Sequence, residues 1–426
     1  MIVRAGLRRS SSMRRLTGLL ALVALIGLAP PSLAASDVRV NDGLAPHGDR
    51  LRKSTEDLSG AERHALVSAL LSLKHTASPY PQDRARGWSW YDTFVHWHDM
   101  LADCEATDLN LHPRMQGHAG PMFLPWHREY LLLLENALRS VSHEPITLPY
   151  WDWTNHASVG SLFTDDFMGP SGNPADGYAV DTGPFNRTSW PLVIQNAHGA
   201  VLTATSATSY LVRDLGDPST LPTMDDVKAA FAASAYDVAP YDDSADPARS
   251  FRQALEGFPR GGGPSLTGCL PDQLGTTGGT QAAVPLVRGA TLHNAVHTWV
   301  GGTGIVTPRG VLLGGTMTVT DASPNDPIFF LHHANIDRLW AEWQAAHPDH
   351  GYAPSDGSYP KNGLHDPMYP FSEYGINVTP ADVISSESSG YRYTRPRADV
   401  LGTGGGWAAG ERASDAAAGS SWWCRS

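Results

Sequence analysis

The stretch Ser323-Pro-Asn-Asp-Pro-Ile-Phe-Phe-Leu-His-His-Ala-Asn-Ile-Asp-Arg-Leu-Trp340 decides the architecture. Read at helical spacing from Pro327 to Ala346, it sets Phe329, His333, Ile336, Asp337, Trp340 and Trp343 on one face. A histidine therefore points where the aromatics point, into a core. His332, one step round the helix, reads as a structural neighbour.

The same pattern recurs upstream. Leu292 to Gly302 carries His293, Val296, His297 and Val300, and the two histidines stand four apart, so both rings leave one side of a helix and reach one ion. Pro125 opens a helix in which His127, Tyr130, Leu131, Leu134 and Leu138 share a stripe. Trp88 to Ala102 places Tyr91, Phe94, Val95, His98 and Leu101 together, with Asp92, His96 and Asp99 on another face, which favours His98 over His96 as an inward group. His118, in Gly117-His-Ala-Gly-Pro, completes the first set, while His112 reads as peripheral. Ser59 and Glu62 form a capping-box pattern that starts a scaffold helix striped with Leu66, Leu70, Leu71 and Leu73. The expected fold is mainly α: a four-helix bundle holding a dinuclear metal centre, with long loops and few short strands.

Two sets of three neutral imidazoles, His98, His118 and His127 with His293, His297 and His333, would hold two transition-metal ions. No carboxylate or thiolate belongs to either set, which suits copper better than a hydrolytic zinc pair. Asn294 and Asp337 are expected to fix ring orientation from behind the ligands.

Residues 1–35 are a different material. Five arginines without an acid precede the apolar run Leu19–Leu28 and the small pair Ala34-Ala35, the pattern of an export signal of Sec or twin-arginine type. The rest divides into one large domain, 36–395, and a Gly/Ala/Ser-rich tail, 396–426. Setting those five arginines aside takes the formal charge from −12 to −17, which argues against nucleic acid or an anionic membrane as partner. Three cysteines, Cys104, Cys269 and Cys424, are too few for a disulfide scaffold. From about 148 to 255 the chain is rich in Gly, Pro, Asp, Ser and Thr, with Trp151, Trp153 and Trp190 as anchors, and it reads as ordered loops around the helices with one helical window, Met224–Ala233. A Gly-rich insertion spans 257–290.

Three strings carry a family resemblance: Gly117-His-Ala-Gly-Pro-Met-Phe-Leu-Pro-Trp-His-Arg128, Leu292-His-Asn-Ala-Val-His-Thr-Trp-Val-Gly-Gly302 and the stretch quoted first. They resemble the copper A and copper B signatures of the tyrosinase family, and with Leu148-Pro-Tyr-Trp-Asp-Trp153 the likeness spans about 55 to 395. Carried over residue by residue, it implies that His98, His118 and His127 ligate one copper and that His293, His297 and His333 ligate the other. It further implies type 3 copper chemistry, in which two copper ions and dioxygen ortho-hydroxylate monophenols or oxidise ortho-diphenols or ortho-aminophenols to quinones. A phenol has a pKa near 10, so the site must take its proton at neutral pH. In related enzymes a Glu and an Asn hold a water for this purpose, and Glu256 and Asn294 match them as the catalytic pair, although 36 residues separate Glu256 from His293.

The resemblance also places Thr320 over the metal as a substrate gate, small enough to admit bulky phenols. Cys104 reads as half of a disulfide or a free thiol, with a thioether bond to a copper A histidine, as in some relatives, the alternative. Gly390-Tyr-Arg-Tyr393 resembles the tyrosine motif that closes the catalytic core of many members. The expected partners are a small phenolic substrate and a separate copper-delivery protein. Two other classes compete: a haemocyanin-like oxygen carrier, which would bind dioxygen without oxidising phenols, and a dinuclear metal hydrolase.

Overall fold

A computed structural model of the chain describes residues 50–102, 116–194, 209–258, 289–302, 305–306, 312–313, 315–318, 322–355, 357–359 and 361–394. The export segment, Thr320, His112, all three cysteines, most of the 257–290 insertion and the tail lie outside these residues.

The principal helices are α1 (Gly60–His75), α2 (Trp90–Asp99), α3 (Phe123–Val141), α4 (Met224–Phe231), α5 (Phe251–Glu256), α6 (Leu292–Gly301) and α7 (Ile328–Ala346). Helices α2, α3, α6 and α7 are the four that the histidine pattern requires, and the fold is mainly helical as expected. Ser59 caps α1 through both bonds of the capping box: its hydroxyl accepts from the Glu62 amide and the Glu62 carboxylate accepts from the Ser59 amide. Two residues of α3 precede Pro125, which sits in the first turn, where its missing N–H leaves no bond unmade.

Helix α3 is the central column, packed against both α1 and α7. Leu131, Leu134 and Leu138 are buried on it, and Trp126, Trp340 and Trp343 fill the spaces between helices. The face of α2 that carries Asp92 and Asp99 is buried as well. Asp92 is 2 % exposed and takes the Lys74 ammonium of α1 at 2.5 Å while also capping α2 at Ser89. A buried lysine keeps its charge only with such a partner.

Among the described residues the strands are short. β1 (Arg50–Arg52) pairs in parallel with β4 (Tyr391–Tyr393), and β2 (Ile305–Val306) pairs antiparallel with β3 (Leu312–Leu313). The loops between 148 and 255 are pinned by their tryptophans: Trp151 donates to the Ser158 hydroxyl and Trp190 to the Asn325 carbonyl, just before α7. Among the described residues no helix is long and apolar enough to cross a membrane.

Candidate metal centre

Each bundle helix presents its histidine inward because its apolar face does. His98 on α2, His127 on α3, His293 and His297 on α6 and His333 on α7 are all buried, as is His118 in the loop before α3. His98, His118 and His127 bring one ring nitrogen each within 4.8 Å of one another, and His293, His297, His332 and His333 do the same. The two groups abut: the His127 and His333 rings stack at 4.1 Å, and the His118 and His293 ring centres lie 6.4 Å apart.

The second group has metal-ligand geometry. His333 Nε2 stands 3.2 Å from His293 Nε2 and 3.4 Å from His297 Nε2. Two nitrogens about 2.0–2.1 Å from one tetrahedral ion would stand about 3.3–3.4 Å apart. At most one proton, that of His333, can lie among these three Nε2 atoms, because the other two rings spend theirs elsewhere. His293 Nδ1 donates to the Asn294 side-chain oxygen at 2.9 Å, and His297 Nδ1 donates to the Met317 carbonyl at 2.9 Å. In the first group His127 Nδ1 donates to the Phe123 carbonyl at 2.9 Å, and the Nε2 atoms of His118 and His127 are buried without a hydrogen-bond partner. Bonds of this kind fix the tautomer and aim the lone pair. The donor set is wholly imidazole, and it fits two copper ions.

Burial also keeps these rings neutral. It lowers His118, His127, His293 and His333 well below the usual histidine range, with neighbouring imidazoles adding to the effect, and lowers His297 to about 4 against the raising pull of its Met317 bond. Aromatic edges line both groups. Phe329 stacks on His333 at 4.0 Å and meets His98 edge-on at 5.0 Å, while Phe123 meets His127 and His293 edge-on at 5.1 and 4.9 Å.

His332, one step round α7 from His333, also lies beside the second group, its ring stacked on His293 at 5.1 Å and 20°. A rotation of about 100° per residue leaves its ring within a site enclosed by several helices. One expectation needs correction. Asp337, expected to orient an imidazole, instead gathers buried charge. Its Oδ1 accepts from Arg128 Nε at 2.6 Å, and its Oδ2 accepts from Arg52 at 3.3 Å and from the hydroxyls of Tyr391 and Tyr393 at 2.5 Å each. Burial raises this carboxyl, but the two guanidinium groups outweigh it and hold Asp337 below the usual carboxylate range. The Gly390-Tyr-Arg-Tyr393 motif thus closes the domain by docking both tyrosines on α7. His96 faces away from the cluster, with its Nε2 3.3 Å from Arg86 and its ring edge-on to Trp88.

Glu256 is 1 % exposed. Its Oε1 accepts from the Ala119 amide at 2.5 Å, one residue beyond His118, and its Oε2 accepts from Arg252 at 3.1 Å. Burial pushes it up to about 7, against the lowering pull of Arg252 and of the Ala119 amide. The long insertion does not carry Glu256 away from α6, because Gly257 (φ 84°) takes the Thr291 amide on its carbonyl at 3.0 Å. A Cβ at Gly257 would stand 1.8 Å from the Thr291 carbonyl oxygen, so glycine is required where the two ends of the insertion meet. Asn294 leaves its side-chain nitrogen buried without a partner after spending its oxygen on His293.

Sequence reading missed Arg252, Asp237 and Gln116. Arg252 was detectable, standing one helical turn before Glu256. Gln116 offered no signal beyond its closeness to His118.

Comparison with known proteins agrees with this geometry. Residues 89–346 match the family model described as the common central domain of tyrosinase. The chain is 34 % identical over 340 residues to a tyrosinase of Streptomyces glaucescens, covering 78 % of this chain and 95 % of that one. It is also 34 % identical over 348 residues to the grixazone synthase of Streptomyces griseus subsp. griseus, covering 78 % and 96 %. Among solved structures, a polyphenol oxidase from Thermothelomyces thermophila shares the fold at a TM-score of 0.51 and 22 % identity, over 82 % of this chain and 89 % of that one. A helical bundle that closes two all-imidazole clusters on each other, with sequence agreement over most of the chain, gives one conclusion: the chain belongs to the tyrosinase family, the type 3 copper oxidases that act on phenols with two copper ions and dioxygen.

Proposed function

We propose that this is an exported oxidase of small phenols, in which His98, His118 and His127 hold one copper and His293, His297 and His333 hold the other. The observation that carries the reading is the convergence of three Nε2 atoms at 3.2 and 3.4 Å, with the ring protons of His293 and His297 committed elsewhere. The bound coppers supply dioxygen activation; the chain supplies orientation, exclusion of water and proton handling. Neutral, buried imidazoles accommodate the metal in either oxidation state without accumulating negative charge.

Oxidising a catechol to its quinone removes two electrons and two protons, and four electrons reduce one dioxygen to two waters. A phenol holds its proton tightly at neutral pH, so a carboxylate poised near pH 7 beside the site is a suitable acceptor. Glu256, pushed up to about 7, has that character, and the unpartnered nitrogen of Asn294 is free to hold a water or a substrate oxygen. The gate assigned to Thr320 and the state of Cys104 belong to the same reading. So do an export signal in residues 1–35, a catalytic domain ending near 395, and delivery of copper by a separate protein, with neither nucleic acid nor membrane as partner of the mature chain.

Oxygen uptake by the copper-loaded protein, measured with tyrosine, catechol and ortho-aminophenol, tests the reading. Uptake with at least one of them, with the coloured quinone forming in step, is the expected result. Reversible dioxygen binding with no consumption of any phenol would make the protein a carrier instead, and hydrolytic activity with zinc bound would make it neither.

A further inference from the structure

Five of the six imidazoles assigned to copper ride on helices, where the backbone ladder fixes their position. His118 does not: it lies on irregular backbone between Gln116 and the start of α3. A ligand on a loop must be held by something else, and two buried side chains grip this loop from different sides.

Gln116, 1 % exposed, spends both ends of its amide on one neighbouring segment. Its nitrogen donates to the carbonyls of Lys361 at 2.6 Å and Pro367 at 3.0 Å, and its oxygen accepts from the Tyr369 amide at 2.5 Å. On the other side of His118, the Ala119 amide donates to Glu256 Oε1 at 2.5 Å. Ala119 has φ 49°, a left-handed conformation that is strained for a residue with a Cβ and persists only where the surroundings hold it. Glu256 is itself braced. Arg252 binds it at 3.1 Å, and Asp237 fixes that guanidinium through Nε at 2.9 Å and Nη2 at 3.1 Å.

We propose that Gln116 and Glu256 are positioning residues which seat His118 for its copper, Glu256 by accepting the Ala119 amide. This rests on the copper reading above and gives Glu256 a duty separate from proton transfer. The two duties come apart on substitution. Glutamine at 256 keeps a carbonyl oxygen for the Ala119 amide but cannot take a proton, whereas alanine offers neither.

The test is copper retention by the full-length protein against a chelator of known affinity at pH 7, for the wild type, Gln116→Ala, Glu256→Ala and Glu256→Gln. Gln116→Ala and Glu256→Ala are expected to hold one copper as the wild type does and to bind the other about 10–100-fold more weakly, the range for loss of a group that orients a ligand. Adding His333→Ala should remove the copper that stayed tight. Glu256→Gln should retain both coppers within about threefold of the wild type while losing turnover at neutral pH. If Glu256→Ala fails to fold, Glu256→Asp, which withdraws the carboxylate by one methylene, should loosen the same copper. Wild-type retention in Gln116→Ala and Glu256→Ala would overturn the proposal, as would equal loss in Glu256→Gln and Glu256→Ala. A wild-type chain that binds no pair of coppers would instead defeat the copper reading itself.

Discussion

The two halves of the centre are built differently. The His293, His297 and His333 group is carried entirely by α6 and α7, and its Nε2 atoms already stand at ligand separation. The His98, His118 and His127 group takes one member from each of two helices and one from a loop, and it depends on Gln116 and Glu256, which come from outside the bundle. A pair of histidines four apart on a helix is positioned by the helix itself. A loop histidine is positioned by whatever its neighbours bind, so the first half should be the more sensitive to distant change.

The largest expected effect breaks the helical half. His333 shares both close nitrogen contacts, so His333→Ala should remove one copper and reduce oxidase activity below detection, with the other copper retained; metal analysis and oxygen uptake check this. Next comes the frame common to both halves. Arg128, the residue after His127, is held by Asp337, four residues after His333. Asp337→Ala would leave buried guanidinium charge uncompensated and should cost about 3–5 kcal/mol of stability in denaturant unfolding, while loosening both coppers together. Loss confined to one half would show that the frame is not shared.

The smallest effect concerns pH. Protons compete with metal for imidazole nitrogen, and the lowered ring pKa values move that competition to more acid solution. His297, at about 4, should remain unprotonated at pH 5.5, where an ordinary histidine is mostly charged. The copper held with His297 should therefore stay bound at pH 5.5 and be lost only in more acid solution, which metal analysis of protein dialysed across that range checks. Release of the copper held by His98, His118 and His127 before the other would show that the loop half is less sheltered than the helical one.

Helix faces made most of this legible in sequence. Periodicity chose His98 over His96 because α2 buries the side that carries Tyr91 and Phe94; it drew α7 nearly to its observed ends and placed the start of α3 two residues late. It misjudged Asp337 because four residues along a helix suggested closeness to His333, whereas the partners that claim its oxygens, Arg52, Tyr391 and Tyr393, lie far away in the chain. The place of Glu256 was hidden by the insertion. Only the meeting of Gly257 with Thr291 shows that the 36 residues before His293 begin and end at one point.

The central claim is that two all-imidazole clusters work as one copper centre, and copper titration of the metal-free protein tests it most directly. Two copper ions per chain are expected, with oxygen uptake on catechol appearing only as the second site fills. Binding of a single copper, or full activity with one site empty, would contradict it.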